Sequence, residues 1–287
     1  MATDITKSIA ANTAKHGTAV VLGASANPLN NNTIDEHGLS VPSVSSIEER
    51  YDTRFDDPTY YGTTSVLQSQ LKASYRLDET SGTRSDLSGF NQDLTDNNTV
   101  GYAAGKQSNA ASLVSANNEF LSIADSSLGD LSPGNINFSI GFWVYFNSAQ
   151  FSNNQVVAGI WNTSGSNREW LFRLAGSNSK LVFRTSPDGA TQNNLSTGAL
   201  SADTWYNIVA IHDVSSGARR LYVNNSQVAT DSNTGTTTGD GDFVIGCYQN
   251  QTQFFDGRID EFNLWHKVLS ASDISSFYNS GNGTQVK

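Results

Sequence analysis

FSIGFWVYF, residues 138–146, places Phe138, Ile140, Phe142, Val144 and Phe146 at every second position. Successive side chains of a strand point to opposite faces, so the five fall on one face of a β-strand. The same texture recurs on both sides of this stretch. LKASYRL (71–77), QVVAGIW (155–161), EWLFRLA (169–175), KLVFRT (180–185), WYNIVAIHD (205–213), RRLYVN (219–224), DFVIGCY (242–248) and GRIDEFNLW (257–265) are short apolar or alternating runs. Gly, Asn, Asp and Ser separate them. Many short strands at regular spacing with almost no helix predict an all-β sandwich. In LYVNNSQV, Asn224 and Asn225 tolerate the positive φ angles of a tight turn, which predicts a hairpin.

Composition agrees. Charged residues are 15% of the 287, and Ser, Thr, Asn, Gln and Gly fill the gap, which suits strands joined by polar turns. Net charge is −10. Residues 1–65 hold eight acids and four bases, or −4, leaving −6 for the rest, so neither part is basic. Nucleic acid and anionic membrane are therefore not expected partners. The single Cys247 allows no internal disulfide and reads as a small residue near a strand end. MATDITKSIAANTAKHG has no apolar core and carries Asp4, so it does not read as a signal peptide, and no run approaches the ~20 residues of a membrane helix. Assembly in a cytoplasm, without export by the common route, is the expectation.

Residues 1–69 differ from the rest. TAVVLGASA (18–26) is strand-length, NPLNNNT (27–33) reads as a loop, SSIEERYDTRF (45–55) as a short helix and DDPTYYGTT (56–64) as a linker. Such pieces bury no core alone. They are expected to form an extended N-terminal arm with at most a short helix, serving anchoring or assembly, before a sandwich spanning residues 70–287. Thr18, Val20, Val21 and Leu22 are the arm residues expected to dock, by adding a strand to a neighbour's sheet edge.

SYRLDETSGTRSDLSG (74–89), NEFLSIAD (118–125), FSIGFWVYF, WYNIVAIHD with RRLYVNNSQVA, and FVIGCY with FFDGRIDEFNLWHKVLSASDI occur in that order. Over some 210 residues this series resembles the laminin-G-like, concanavalin-A-like jelly rolls, with Asn224–Asn225 where that family has Asp-Gly. The resemblance implies a two-sheet antiparallel jelly-roll sandwich in which the 257–265 strand returns beside the first. LSASDISSFYNSG (269–281) then reads as a short helix, capped by Ser270 or Ser272, ended by Gly281 and sealing an edge through Leu269, Ile274 and Phe277.

Little in the sequence points to catalysis. Glycosidases of this architecture need two facing carboxylates, and Glu169 has no acid two or four residues away; it reads as a solvated strand-start residue. His212 reads as packed, and GDGD (239–242) as a turn. A non-enzyme is the expectation. The resemblance implies one calcium ion between the opening and last strands, at Asp78 and Asp260; the competing reading has these acids capping turns or facing solvent. It also implies carbohydrate binding, which needs aromatic rings beside amides. Trp161, Tyr248 and Phe254 are the candidate glycan-binding residues, with Phe255 assigned to covering the sandwich end and Trp143, Trp205 and Trp265 to the core. These features suggest a bacteriophage virion component, such as a capsid decoration, head-fibre or tail protein. It would be a homo-oligomer, docked on other virion proteins through the arm and touching host surface glycans. The alternative is a free lectin-like carbohydrate-binding module or adhesin.

Overall fold

The computed structural model describes residues 66–287 and the backbone of two short strands, β1 (Asn32–Ile34) and β2 (Ser40–Pro42). The chain divides into two units, Met1–Thr63 and Thr64–Lys287. In the first, β1 and β2 pair antiparallel with Thr33 opposite Val41. β1 begins inside the stretch whose Asn-rich sequence predicts a loop. Thr18, Val20, Val21, Leu22 and the helix expected at 45–55 lie outside the described residues.

The second unit is a sandwich of two antiparallel sheets. Fifteen strands follow in chain order: β3 (Leu71–Tyr75), β4 (Thr95–Asn97), β5 (Gly101–Ala104), β6 (Asn109–Leu113), β7 (Phe120–Ile123), β8 (Phe138–Phe146), β9 (Gln155–Asn162), β10 (Asn167–Ala175), β11 (Lys180–Thr185), β12 (Asn193–Ala199), β13 (Trp205–Asp213), β14 (Ala218–Val223), β15 (Ser226–Asp231), β16 (Phe243–Ile245) and β17 (Gly257–Trp265). A seven-stranded sheet runs β12-β11-β10-β9-β16-β7-β4. An eight-stranded sheet runs β15-β14-β13-β8-β17-β6-β5, with β3 also pairing β17. The expected return is present: Phe262 of β17 lies opposite Tyr75 of β3. Asn224 and Asn225 take φ of 50° and 67° between β14 and β15, as the hairpin requires.

All five alternating residues of β8 enter the core between the sheets, with Phe172, Phe183, Phe243 and Phe262. Phe142 meets Phe172 edge-on at 4.8 Å and stacks on Phe262 at 5.7 Å. Phe255 is in this core, and His212 is buried and stacked on Phe138. The opposite side of β8 is buried too, because the one α-helix among the described residues covers it. Helix α1 (Ala271–Tyr278) starts with a reciprocal capping box between Ser270 and Asp273. It ends on Asn279 in the left-handed conformation (φ 48°), two residues before Gly281. Ile274 and Phe277 join Trp143, Val209, Ile211, Trp265 and Leu269 in a second apolar cluster. Val209 and Trp143 sit on the central strands, so the helix seals the outer face of the eight-stranded sheet rather than an edge. Gly141 permits this approach: a β-carbon there would lie 2.8 Å from the Phe277 ring.

Candidate functional site

The outer face of the seven-stranded sheet is covered differently. Val156, Trp161 and Leu171 of β9 and β10 form a small buried cluster, and the half-buried Tyr248 packs on it. Phe120, Val244 and Cys247 form a neighbouring cluster under Phe254. Both rings belong to the 246–256 loop between β16 and β17. This loop is held by its own backbone: the Tyr248 N–H donates to the Thr252 carbonyl at 3.0 Å and the Gln251 N–H to the Tyr248 carbonyl at 2.8 Å. Gln251 and Gln253 both take φ of 54°, so the loop turns tightly. Val156 N–H reaches the Gln253 carbonyl at 2.9 Å, and Arg173 Nε donates to Gln253 Oε1 at 2.8 Å, pinning the loop to β9 and β10. Asn250, Gln251 and Thr252 remain exposed.

The structure thus brings Trp161 and Tyr248 together and sets Phe254 beside them. Trp161 is only 3% exposed, because the Tyr248 ring and the Leu171 and Val156 side chains enclose it. It is the bed under the loop rather than an open ring. Tyr248 and Phe254 are the rings that reach the surface. Arg173 and Gln253, which fix the loop, were not singled out by the sequence; the register of β10 against β9 is what brings them together. Trp205, expected in the core, is half-buried on the other sheet, 5.6 Å from Tyr145. Cys247 is buried, and burial pushes its thiol up to about 12, so it is inert as a nucleophile.

Glu169 is fully buried, against the expectation of a solvated strand start. A β-bulge at Arg168/Trp170 turns it into the sandwich end. There its carboxyl accepts from Ser132 Oγ at 2.9 Å and from the Gly239 N–H at 2.7 Å, joining two loops. Burial raises it to about 7, although these hydrogen bonds oppose the rise.

The aspartates of the calcium expectation also meet. β17 changes partner at a bulge, from β6 before Asp260 to β3 after Glu261, and Glu261 takes φ of 51° there. Asp78 Oδ1 accepts from the Asn109 N–H at 3.0 Å and its Oδ2 from Gln285 Nε2 at 3.4 Å. Asp260 Oδ2 accepts from the N–H groups of Lys106 (2.6 Å) and Gln107 (3.0 Å). Asp260 Oδ1 and both carboxylate oxygens of Glu261 are buried without a well-aligned hydrogen-bond donor, although Arg76 and Gln285 lie near enough to Glu261 to favour its charged form. Burial, then the Asp78 charge, raises Asp260 to about 7; burial, then the Asp260 and Asp78 charges, raises Glu261 to about 9. Buried hard oxygens without well-aligned donors suit a calcium ion. Among the described residues, however, no three His, Cys, Asp or Glu side chains group as a metal site. The free oxygens belong to Asp260 and Glu261; those of Asp78 already accept hydrogen bonds.

Residues 115–275 match the family model of the concanavalin A-like lectin/glucanases superfamily. No curated protein matches the chain. Among solved structures, the binding domain of Paraclostridial Mosquitocidal Protein 1 superposes with a TM-score of 0.60 at 19% identity, over 75% of this chain and 53% of that one. The botulinum neurotoxin serotype C1 binding domain gives 0.59 at 15% identity, over 75% and 52%. The binding domain of botulinum neurotoxin DC, in complex with SialylT, gives 0.57 at 15% identity, again over 75% and 52%. The chain spans about half the length of these structures, and the likeness is one of fold.

Proposed function

Because the chain belongs to the concanavalin A-like lectin/glucanases superfamily, we propose that its sandwich is a non-enzymatic carbohydrate-binding domain whose site is the 246–256 loop on the outer face of the seven-stranded sheet. The observation that carries this reading is the placing of Tyr248 and Phe254. Two half-buried rings stand on packed clusters, beside exposed Asn250, Gln251 and Thr252. Rings hold the apolar faces of sugars while amides and hydroxyls take their hydroxyl groups, and a bed that is already packed needs little ordering on binding. Glu169, the acid nearest to a catalytic reading, has a structural task in tying two loops. Binding of the full chain to an array of glycans tests the proposal. Tyr248→Ala is expected to reduce binding at least tenfold without unfolding the protein; undiminished binding would place the site elsewhere.

The wider role we propose is display on a virion, with the first unit as the docking element and other copies of the chain and virion proteins as partners. Its support is the division of the chain into a short unit, Met1–Thr63, and the sandwich. On a density gradient of native lysate the protein would then travel with a large particle; sedimentation as a small free species would favour the lectin-like module or adhesin instead.

A structural calcium ion at the β17 bulge completes the proposal. Asp260 and Glu261 would hold it, with backbone carbonyls and water as further ligands, and it would neutralise two acids that otherwise repel each other. Calcium should raise the melting temperature and a chelator lower it; identical melting in both would remove the ion.

A further inference from the structure

The same outer face carries two arginines that the loop site does not account for. In the β10–β11 pair, Leu171 lies opposite Arg184, and Arg173 opposite Val182. Residues directly opposite in an antiparallel pair share a face. Leu171 points outward into the cluster under Tyr248, while Phe172, Leu174 and Phe183 point into the core. Arg173 and Arg184 therefore stand on the outer face as diagonal cross-strand neighbours, their backbones roughly 7–8 Å apart. Like charges so placed repel.

No acid is present. Among the described residues, the ion pairs engage Lys72, Arg84, Arg219, Arg220 and Lys267, and neither Arg173 nor Arg184. Arg173 spends its Nε on Gln253. The Nε of Arg184 is buried with no partner at all. Both side chains are half-buried, so water screens them incompletely. Burial lowers the Arg173 guanidinium; the nearby Tyr248 opposes this, and Arg184 adds a smaller lowering. This uncompensated positive pair is set in a protein of net charge −10, beside the Tyr248 ring. Asn194 of β12, exposed, lies opposite Arg184 and extends the polar rim.

We propose that Arg173 and Arg184 form an anion subsite for the carboxylate of an acidic sugar whose ring lies against Tyr248. A guanidinium presents paired N–H donors matched to a carboxylate, and two of them on neighbouring strands would enclose one from both sides. A neutral sugar would use the ring and the amides but leave the two charges unanswered. The inference rests on the carbohydrate-binding reading and sharpens it to acidic glycans.

The test applies the full-length protein, Arg184→Gln and Tyr248→Ala to an array holding matched acidic and neutral glycans, sialyllactose and lactose among them. Melting temperatures are measured alongside. Acidic glycans should be bound at least tenfold more tightly than their neutral counterparts. Arg184→Gln should erase that preference while melting like the parent, and affinity should fall as salt rises from about 0.05 to about 0.5 M. Equal binding of acidic and neutral glycans, or a preference untouched by Arg184→Gln, would overturn the anion subsite and leave the carbohydrate reading standing. Binding to no glycan on the array would overturn both. If Arg184→Gln melts early, Arg184→Met, which keeps an apolar stem but no charge, is judged against the same two outcomes and decides.

Discussion

The two outer faces of the sandwich are covered by opposite kinds of chain. Over the eight-stranded sheet lies a helix whose Ile274 and Phe277 join Trp143, Val209, Ile211 and Trp265 in a continuous apolar cluster. Over the seven-stranded sheet lies a loop of turns and amides, touching two small clusters through Tyr248 and Phe254. The first cover buries apolar surface, which is where folding free energy comes from. The second buries little and leaves amides and a pair of arginines at the surface. On the proposed function, one face is closed for stability and the other is left available for recognition.

That contrast can be broken most forcefully at Phe277. Truncation to Ala should cost roughly 3–5 kcal/mol, as for a buried aromatic ring, and leave glycan affinity unchanged in the surviving folded protein. Denaturant unfolding measures the first and binding below the transition the second. Next comes Glu169, which holds the loops at the end of the seven-stranded sheet. Its folded-state value of about 7 lies above the ordinary 4.5, so the folded state keeps a proton that the unfolded chain has lost. The contribution of Glu169 to stability should therefore fall as pH rises from about 4.5 to about 7, by up to roughly 3 kcal/mol, and level off above, where Glu261, raised to about 9, carries the decline further. Glu169→Gln, which can still bond Ser132 and Gly239, should flatten that slope in melts taken across this range; an unchanged slope would assign it to other groups. Ser270→Ala removes the helix cap and should cost about 1 kcal/mol. Tyr248→Ala should cost less than Phe277→Ala by a clear margin yet abolish most glycan binding, the reverse of the Phe277 pattern.

Much of the fold was legible because its signal is local. Alternation in 138–146 and the bounds of β11, β13 and β17 follow from apolar period and turn residues. β5, β6 and β12 were missed, since GYAA, NAASL and NNLSTGA are small or polar and become strands by pairing with neighbours. The site was legible only in part. Tyr248 and Phe254 announce themselves beside Asn and Gln, but nothing local says that Trp161 lies beneath them. Glu169 seemed solvated because the bulge that turns it inward is a property of the β9–β10 register. The burial of Glu261 was not legible, because it follows from the partner change of β17 at the bulge and not from the spacing of the acids. Arg173 and Arg184 are 11 positions apart in sequence and become neighbours only through the β10–β11 register.

Hydrogen–deuterium exchange of the full chain, with and without a glycan bound on the array, asks directly which face recognises. The account predicts slowed exchange in the 246–256 loop and in β10 and β11, with α1 unchanged. Protection confined to α1 and the strands beneath it would contradict it.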